Sequence, residues 1–309
     1  MRHQLGLAVA LSSLMWAGAS SAFAADDFRV AYAGSMGVVM DKFLGPAFAT
    51  QQHVNYQGQG EGAYGLARLL ASGKATADVF VSITPGPVEI LQKAGLVDEV
   101  IPVASTRMVI AYNPKSTFAA ALAASNQPGA KTPWWQVLKA PGLKFGRTDA
   151  RVDPQGQNII FSLMLAEKFY KQPGLSNAVL GDVQNPAQVY GEGGLLTRLQ
   201  AGQLDAASGY ESATLSAKLP YVALPDEINL SNPTFAKSWY DTVSLNLTDS
   251  KGQPQTLSPQ PLVFYAAVLK NAPDHKRGEA FVAYLQSSQG QALFTQNGYG
   301  QPKGEALHP

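Results

Sequence analysis

The sequence has no cysteine. That excludes a disulfide-stapled scaffold and a thiol nucleophile, so stability has to come from burial. Histidine is scarce: His3, His53, His275 and His308 lie far apart along the chain. Such spacing argues against a zinc site and against histidine-assisted nucleophilic catalysis. Charge is sparse as well, at 15% of residues, with Lys+Arg 23 against Asp+Glu 22. Nucleic-acid binding would call for a basic excess, and there is none. Beyond the amino terminus no run is long and apolar enough to cross a bilayer.

What is present begins with an export signal over residues 1–24. Arg2 and His3 give a short positive start, an apolar run extends from Leu5 to Trp16, and small residues lead to Ala22-Phe23-Ala24. That pattern places cleavage before Ala25, and the run is shorter than the ~20 residues of a membrane span. No cysteine near the cleavage point offers a lipid anchor. Removing 24 of the 309 residues leaves 285. This is room for two lobes, because single cores stop growing near ~250–300 residues. Arg2 is the only formal charge lost, so the exported chain is neutral overall. An anion site would therefore be local geometry rather than a global positive field. The expected location is the periplasm.

Strand-like and helix-like runs alternate. Phe28–Gly34, Val54–Gly60 and Ala77–Ser82 read as strands. Helices are expected from about Gly37 to Thr50, over Gly62–Ser72 and over Pro85–Ala94. This order implies a parallel sheet with helices on both faces. Strands at Val100–Ser105 and Arg107–Tyr112 follow, then a looser segment, Lys115–Lys131, that reads as a surface insertion. Thr132-Pro133 has the form of an N-cap and first helical residue ahead of Trp134 and Trp135. Strands are expected at Lys144–Gly146 and Ala206–Tyr210, and helices from Asp153 to about Lys171, over Gly194–Ala201 and over Ser212–Lys218. The chain then returns at Pro261–Lys270 and ends in helices Asp274–Gln286 and Ser288–Gln296. The expected lobes are residues 25–108 with 261–309, and residues 109–260.

Four strand-to-helix junctions are candidate ligand contacts. Ligands of open α/β sheets bind beyond the carboxyl ends of strands, where helix amino termini present unpaired N–H groups. Ser35 can give one anion oxygen its hydroxyl and its N–H; the plainer reading is a helix cap worth about 1 kcal/mol. Glu61-Gly62-Ala63 lets backbone amides approach closely, or is only a tight turn, and no Gly-Lys-Ser/Thr follows to make it a phosphate loop. Asp153-Pro154-Gln155-Gly156 is a strong helix start, so Asp153 is a cap first and a ligand contact second. A carboxylate at an anion site makes sense where the bound centre accepts another oxygen. Tyr210 offers a phenolic donor, and Glu211 reads as a solvated first-turn residue. The tryptophan pair reads as packing, and Arg147 and Arg151 as surface charges.

The segment Leu224-Pro225-Asp226-Glu227-Ile228-Asn229-Leu230-Ser231-Asn232-Pro233 closely resembles one typical of the periplasmic tungstate/molybdate-binding proteins of ABC importers. Supporting matches are AGSM at 33–36, ADVFVS at 77–82, Asp153-Pro154-x-Gly156, Lys270-Asn271-Ala272-Pro273, Gly290-Gln291 and Asn297-Gly298, together spanning nearly all of the exported chain. The resemblance implies the two-lobed type II periplasmic-binding-protein fold: each lobe a mainly parallel α/β sheet flanked by helices, with a hinge closing on a tetrahedral oxoanion. It implies a permease and an ATPase as partners, a monomer, no cofactor and no resident metal. By position, Ser35 matches the first-loop serine, Asp153 a carboxylate that extends the shell of the bound oxoanion, and Tyr210 a further contact. Gln155, Glu61 and Glu211 are subsidiary candidates. Two positions depart from the pattern: Ala63 stands where the family has a serine, and Gly209 where the subgroup has a second carboxylate.

Two rival readings remain at this point. One is a binding protein of the same fold for another anion, an organic acid or a metal ion. The other is an exported hydrolase using Glu61 and Asp153 as paired carboxylates.

Overall fold

The computed structural model describes residues 26–151, 153–191, 194–248 and 252–309; the expected export signal lies outside them. The chain opens with β1 (Asp27–Ala33), which buries Phe28, Val30 and Tyr32. A helical stretch follows directly: a 3-10 turn at Gly34–Met36, α1 (Gly37–Val39), a π turn at Met40–Leu44 and α2 (Gly45–Gln52). Then come β2 (Asn55–Glu61), α3 (Ala63–Ala71), β3 (Val79–Ser82), α4 (Pro85–Lys93) and β4 (Ile101–Ser105).

A two-residue step, Thr106-Arg107, leads into β5 (Met108–Tyr112) and a second sheet. From there the order is α5 (Ala119–Ser125), α6 (Trp134–Leu138), β6 (Phe145–Thr148), α7 (Pro154–Phe169), α8 (Leu175–Leu180), β7 (Val189–Tyr190), α9 (Leu195–Gln200), β8 (Ala206–Tyr210), α10 (Glu211–Ser216) and β9 (Tyr221–Ala223). A hairpin of β10 (Leu245–Thr248) and β11 (Pro254–Leu257) precedes the return through β12 (Val263–Val268), α11 (His275–Gln286) and α12 (Ser288–Gln296).

The sheets have strand orders β2-β1-β3-β12-β4 and β7-β6-β8-β5-β9. In each, one strand runs against the other four: β12 in the first and β5 in the second. Each reversed strand is the first the chain makes after crossing over: β5 follows β4 of the first sheet, and β12 marks the return from the second sheet and the hairpin. Helices cover both faces. One face of the first sheet packs Phe28 against Phe48 and Phe281, with ring centroids 4.9–5.3 Å apart; the other packs Ala31, Phe80 and Val263 against Leu66, Leu70 and Leu91. These β-α-β alternations were readable from runs of apolar residues bounded by glycine and proline.

The decamer 224–233 fastens the junction between the sheets. The Leu262 N–H donates to the Leu230 carbonyl at 2.7 Å, Thr106 N–H to Leu262 O at 3.0 Å and Met108 N–H to Asn229 O at 2.9 Å. Asn229 is fully buried. Its amide donates to Leu224 O and Asp226 Oδ1, and its oxygen accepts the Ser231 N–H. Leu230 sits at φ 61°, an uncommon conformation for a branched side chain, held by hydrogen bonds on both sides.

Several expectations need correction. Residues 115–131 are not simply loose: α5 lies within them, with Leu122 fully buried. The cap of α6 is Pro133 rather than Thr132. The strand expected at 144–146 extends to Thr148. Helix α8, the short strands β7 and β9 and the hairpin carried no clear periodic signal.

Candidate functional site

In the first sheet the register Ala33↔Glu61 ends β1 and β2 together, so the Gly34-Ser35 and Glu61-Gly62-Ala63 turns lie side by side. The turn from β1 is capped at Ala33, with no side-chain cap bond. The capping role considered for Ser35 is therefore not the one it has. Ser35 is half-buried, while Glu61 and Gly62 are exposed and Ala63 is half-buried at the start of α3. Glu61 Oε1 accepts the Gln59 amide at 3.2 Å.

In the second sheet, β6 and β8 run parallel and end together. Asp153 caps α7: its Oδ1 accepts the Gln155 N–H at 2.9 Å, and Pro154 follows at the first helical position. Gly156 allows the helix to sit tightly on the preceding loop, for a Cβ there would lie 2.5 Å from Thr148 O and 2.7 Å from Ala150 N. The Gln155 side-chain amide donates to Ser208 O at 3.2 Å, and one turn on Asn158 Nδ2 donates to the Tyr210 hydroxyl at 3.1 Å. The α7 start, β8 and Tyr210 thus form one hydrogen-bonded group.

That group has an unusual polar balance. Asp153 is 6% exposed, and neither its Oδ2 nor the buried Thr148 Oγ1 makes a close hydrogen bond elsewhere among the described residues; the Thr148 hydroxyl instead acts on the Asp153 carboxylate across a longer contact. Burial pushes the Asp153 carboxyl above the ordinary carboxylate range; the nearby Thr148 hydroxyl and the Gln155 N–H oppose this, and Asp149 adds to it. Asp149 behaves oppositely: side-chain hydrogen bonds from Arg151 hold its carboxyl down at about 2.

Two charge assignments are overturned. Arg147 is not a surface residue: it is fully buried, donating to Asp182 O at 2.7 Å and to Gln188 Oε1 at 3.2 Å, and desolvation lowers its pKa. A strand of four residues buried on both faces has no solvated side to offer it. Glu211 is not solvated either. It forms a two-pronged ion pair with Arg107 and accepts the Tyr221 hydroxyl at 2.6 Å. Arg107 lies 104 positions away and Tyr221 ten, on the following strand, and periodicity gave no hint of either. The tryptophans pack as expected, Trp134 buried and Trp135 tilted against Tyr170 with ring centroids 4.0 Å apart.

A residue that sequence reasoning missed joins the two groups. Tyr299, 6% exposed, donates its hydroxyl to Ser35 O at 3.3 Å and also meets the Ser212 side chain, two residues after Tyr210. Ser212 Oγ in turn lies 3.2 Å from Thr106 Oγ1 in the step between sheets. Its one sequence signal was the Asn-Gly-Tyr-Gly run at 297–300. The first-sheet turn carrying Ser35 and the second-sheet turn carrying Tyr210 therefore share one buried phenol. Among the described residues no cluster of three His, Asp or Glu could hold a metal ion, and no helix is long and apolar enough to cross a membrane.

Comparison with known proteins agrees with this architecture. Residues 28–300 match the family of bacterial extracellular solute-binding proteins. An uncharacterized solute-binding protein of Petrotoga mobilis is 32% identical over 224 residues, 72% of this chain and 67% of that one. The molybdate/tungstate-binding protein WtpA of Thermococcus kodakarensis is 25% identical over 264 residues, 79% and 72% of the two chains. The periplasmic molybdate-binding protein of Azotobacter vinelandii superposes with a TM-score of 0.61 over 89% of this chain and 100% of that one, at 14% identity. The two mixed sheets flanked by helices are the type II periplasmic-binding-protein fold. On the span of the family match, the chain belongs to the bacterial extracellular solute-binding proteins.

Proposed function

We propose that this protein is the periplasmic solute-binding component of an ABC importer and captures a tetrahedral oxoanion, molybdate or tungstate. The lobes would be residues 25–108 with 261–309 and residues 109–260, closing about the Thr106-Arg107 step and the decamer behind it. Ser35 and the amides of Gly62 and Ala63 would hold the anion from one lobe, and Asp153, Gln155 and Tyr210 from the other. Closure is favoured because the second lobe's contacts exist only in the closed form. A permease and its ATPase would receive the loaded protein. No chemistry is asked of the chain.

The observation that supports this reading is the shared Tyr299, whose hydroxyl contacts the Ser35 turn of the first sheet and the Ser212 side chain just after Tyr210 of the second. The similarity to WtpA over 79% of the chain supports the choice of anion. Thermal unfolding with molybdate, tungstate, sulfate and phosphate tests it. Ligand at 100 times its dissociation constant adds ~2.7 kcal/mol of stability. Stabilisation by the first two and not by sulfate is the expected result; a response to none of the four refutes it.

Ala63 and Gly209 favour a second reading, a protein of the same fold for a different anion, an organic acid or a metal ion, since each removes a polar group that the subgroup uses. A wider solute panel in the same assay separates the two. The hydrolase reading loses ground, because Glu61 is exposed and engaged by Gln59.

A further inference from the structure

We propose that Glu211 is a positioning residue of the anion site: with Arg107 and Tyr221 it clamps the turn that carries Tyr210 to the step between the sheets. This rests on the oxoanion reading above and specifies how its Tyr210 contact is held in place.

Tyr210 ends β8 and caps α10. Its partner in the ladder is Met108, the first residue of β5, so the pairing of the two strands runs out there. The residue before it, Gly209, brings no side chain to hold the turn and has more backbone freedom than any other type. The phenol itself accepts from Asn158 on α7 at 3.1 Å. A contact residue at the end of a strand and after a glycine depends on what holds the far side of its turn.

That side is held by several bonds to one place. The Glu211 N–H donates to the Arg107 carbonyl at 2.9 Å, one bond beyond the ladder. The same two residues are joined through their side chains, Arg107 Nε donating to Glu211 Oε2 at 2.9 Å and Nη2 to Oε1. Tyr221 on β9, the other neighbour of β5, donates its hydroxyl to Oε1 at 2.6 Å. Ser212 repeats the attachment: its N–H donates to Thr106 Oγ1 at 3.4 Å, and the two hydroxyl oxygens lie 3.2 Å apart. Both residues of the Thr106-Arg107 step thus hold the two residues that follow Tyr210. Through Ser212 the turn also meets Tyr299, which donates to the Ser35 carbonyl.

An exposed ion pair would do little here, because solvent screens it and two long side chains must be ordered. The Glu211 side chain is only 14% exposed, and the two-pronged fork fixes direction as well as distance. Both of its carboxylate oxygens are engaged inside the clamp, so Glu211 acts on the ligand through Tyr210 rather than by contact. Hydrogen bonds weaken steeply with length and angle. A turn that drifts by about 1 Å therefore forfeits the Tyr210 contact.

A double-mutant cycle on binding tests this. Wild type, Tyr210→Phe, Glu211→Ala and the double variant are titrated calorimetrically with sodium molybdate, and urea midpoints are measured without ligand. Tyr210→Phe removes one hydrogen bond to a charged ligand and should raise the dissociation constant about tenfold. Glu211→Ala is expected to raise it about as much. In that background the further loss of the Tyr210 hydroxyl should cost no more than about twofold, because the contact is already gone. A purely structural role would lower the urea midpoint and let the two losses multiply, to about a hundredfold; that result overturns the proposal. So does wild-type affinity in Glu211→Ala or in Tyr210→Phe. Should Glu211→Ala not fold, Glu211→Gln, which keeps the size but not the charged fork, replaces it under the same outcomes. If wild type binds neither molybdate nor tungstate, the oxoanion reading falls and this proposal with it.

Discussion

The Tyr299 hydroxyl donates to the Ser35 carbonyl oxygen at 3.3 Å, across 264 positions of sequence. The ring is fixed by Phe264 and Phe294, with centroids 5.2 and 5.4 Å away. Removing only the hydroxyl should therefore leave the packing in place. Tyr299→Phe is expected to cost about 1 kcal/mol in urea unfolding, the net value of one hydrogen bond. It should also weaken oxoanion binding measured by calorimetry, because the Ser35 turn loses its tether. An unchanged dissociation constant would show that the tether does not position Ser35.

Asn229 satisfies three groups of the decamer from inside the junction. Asn229→Ala leaves the Leu224 carbonyl and the Ser231 N–H without buried partners, each costing about 1–3 kcal/mol. A loss of roughly 2–4 kcal/mol in chemical unfolding is expected. Substitution of an exposed residue such as Gln59 should stay within about 0.5 kcal/mol.

Gly156→Ala brings a methyl group to 2.5 Å from the Thr148 carbonyl oxygen, and the atoms it meets there are all backbone. Alanine is the better helix former, so propensity alone would favour the change by about 1 kcal/mol. Overpacking, at about 1–3 kcal/mol, outweighs it. Lower stability together with weaker ligand binding is the expected outcome; a stabilised variant would show that the loop yields.

Asp149 and Asp153 make opposite contributions to stability against pH. Asp149, held at about 2 by Arg151, stabilises the fold above the ordinary carboxylate range and loses that contribution as the pH falls toward 2. Solvent screening around the exposed Arg151 keeps that contribution small. Asp153 binds its proton more tightly when folded, so its contribution is fullest below ~3.9 and fades as the pH rises through its elevated value. Urea midpoints between pH 3 and 8 should therefore fall at the acid end less in Asp149→Asn than in wild type. Asp153→Asn should gain stability at the alkaline end.

The sequence showed what local physics dictates. Phe28–Gly34 and Ala77–Ser82 read as strands because their apolar side chains are buried on a sheet, and Asp153-Pro154 announced a helix because capping depends on adjacent residues. The decamer revealed the family, but its place between the sheets became visible only in the pairing of Leu230 with Leu262. Arg147 and Glu211 were misread for a common reason: whether a charge is solvated depends on what packs over it, and their partners lie 10 to 104 positions away. Tyr299 escaped because nothing in its neighbourhood marks it as a contact of Ser35. Residues 245–257 escaped because a four-residue hairpin strand on the surface has too few positions to show alternation.

Strand β12 lies between β3 and β4, so the first sheet has a gap in its middle until residues 263–268 arrive. A chain emerging amino terminus first would display β3 and β4 as two raw edges while the whole second sheet could already be complete. The second unit can therefore close early on its own, whereas the first must wait for a strand that begins 47 residues from the end of the 309-residue polypeptide. A nascent chain stalled before that point would carry unpaired backbone where the finished protein is most deeply buried.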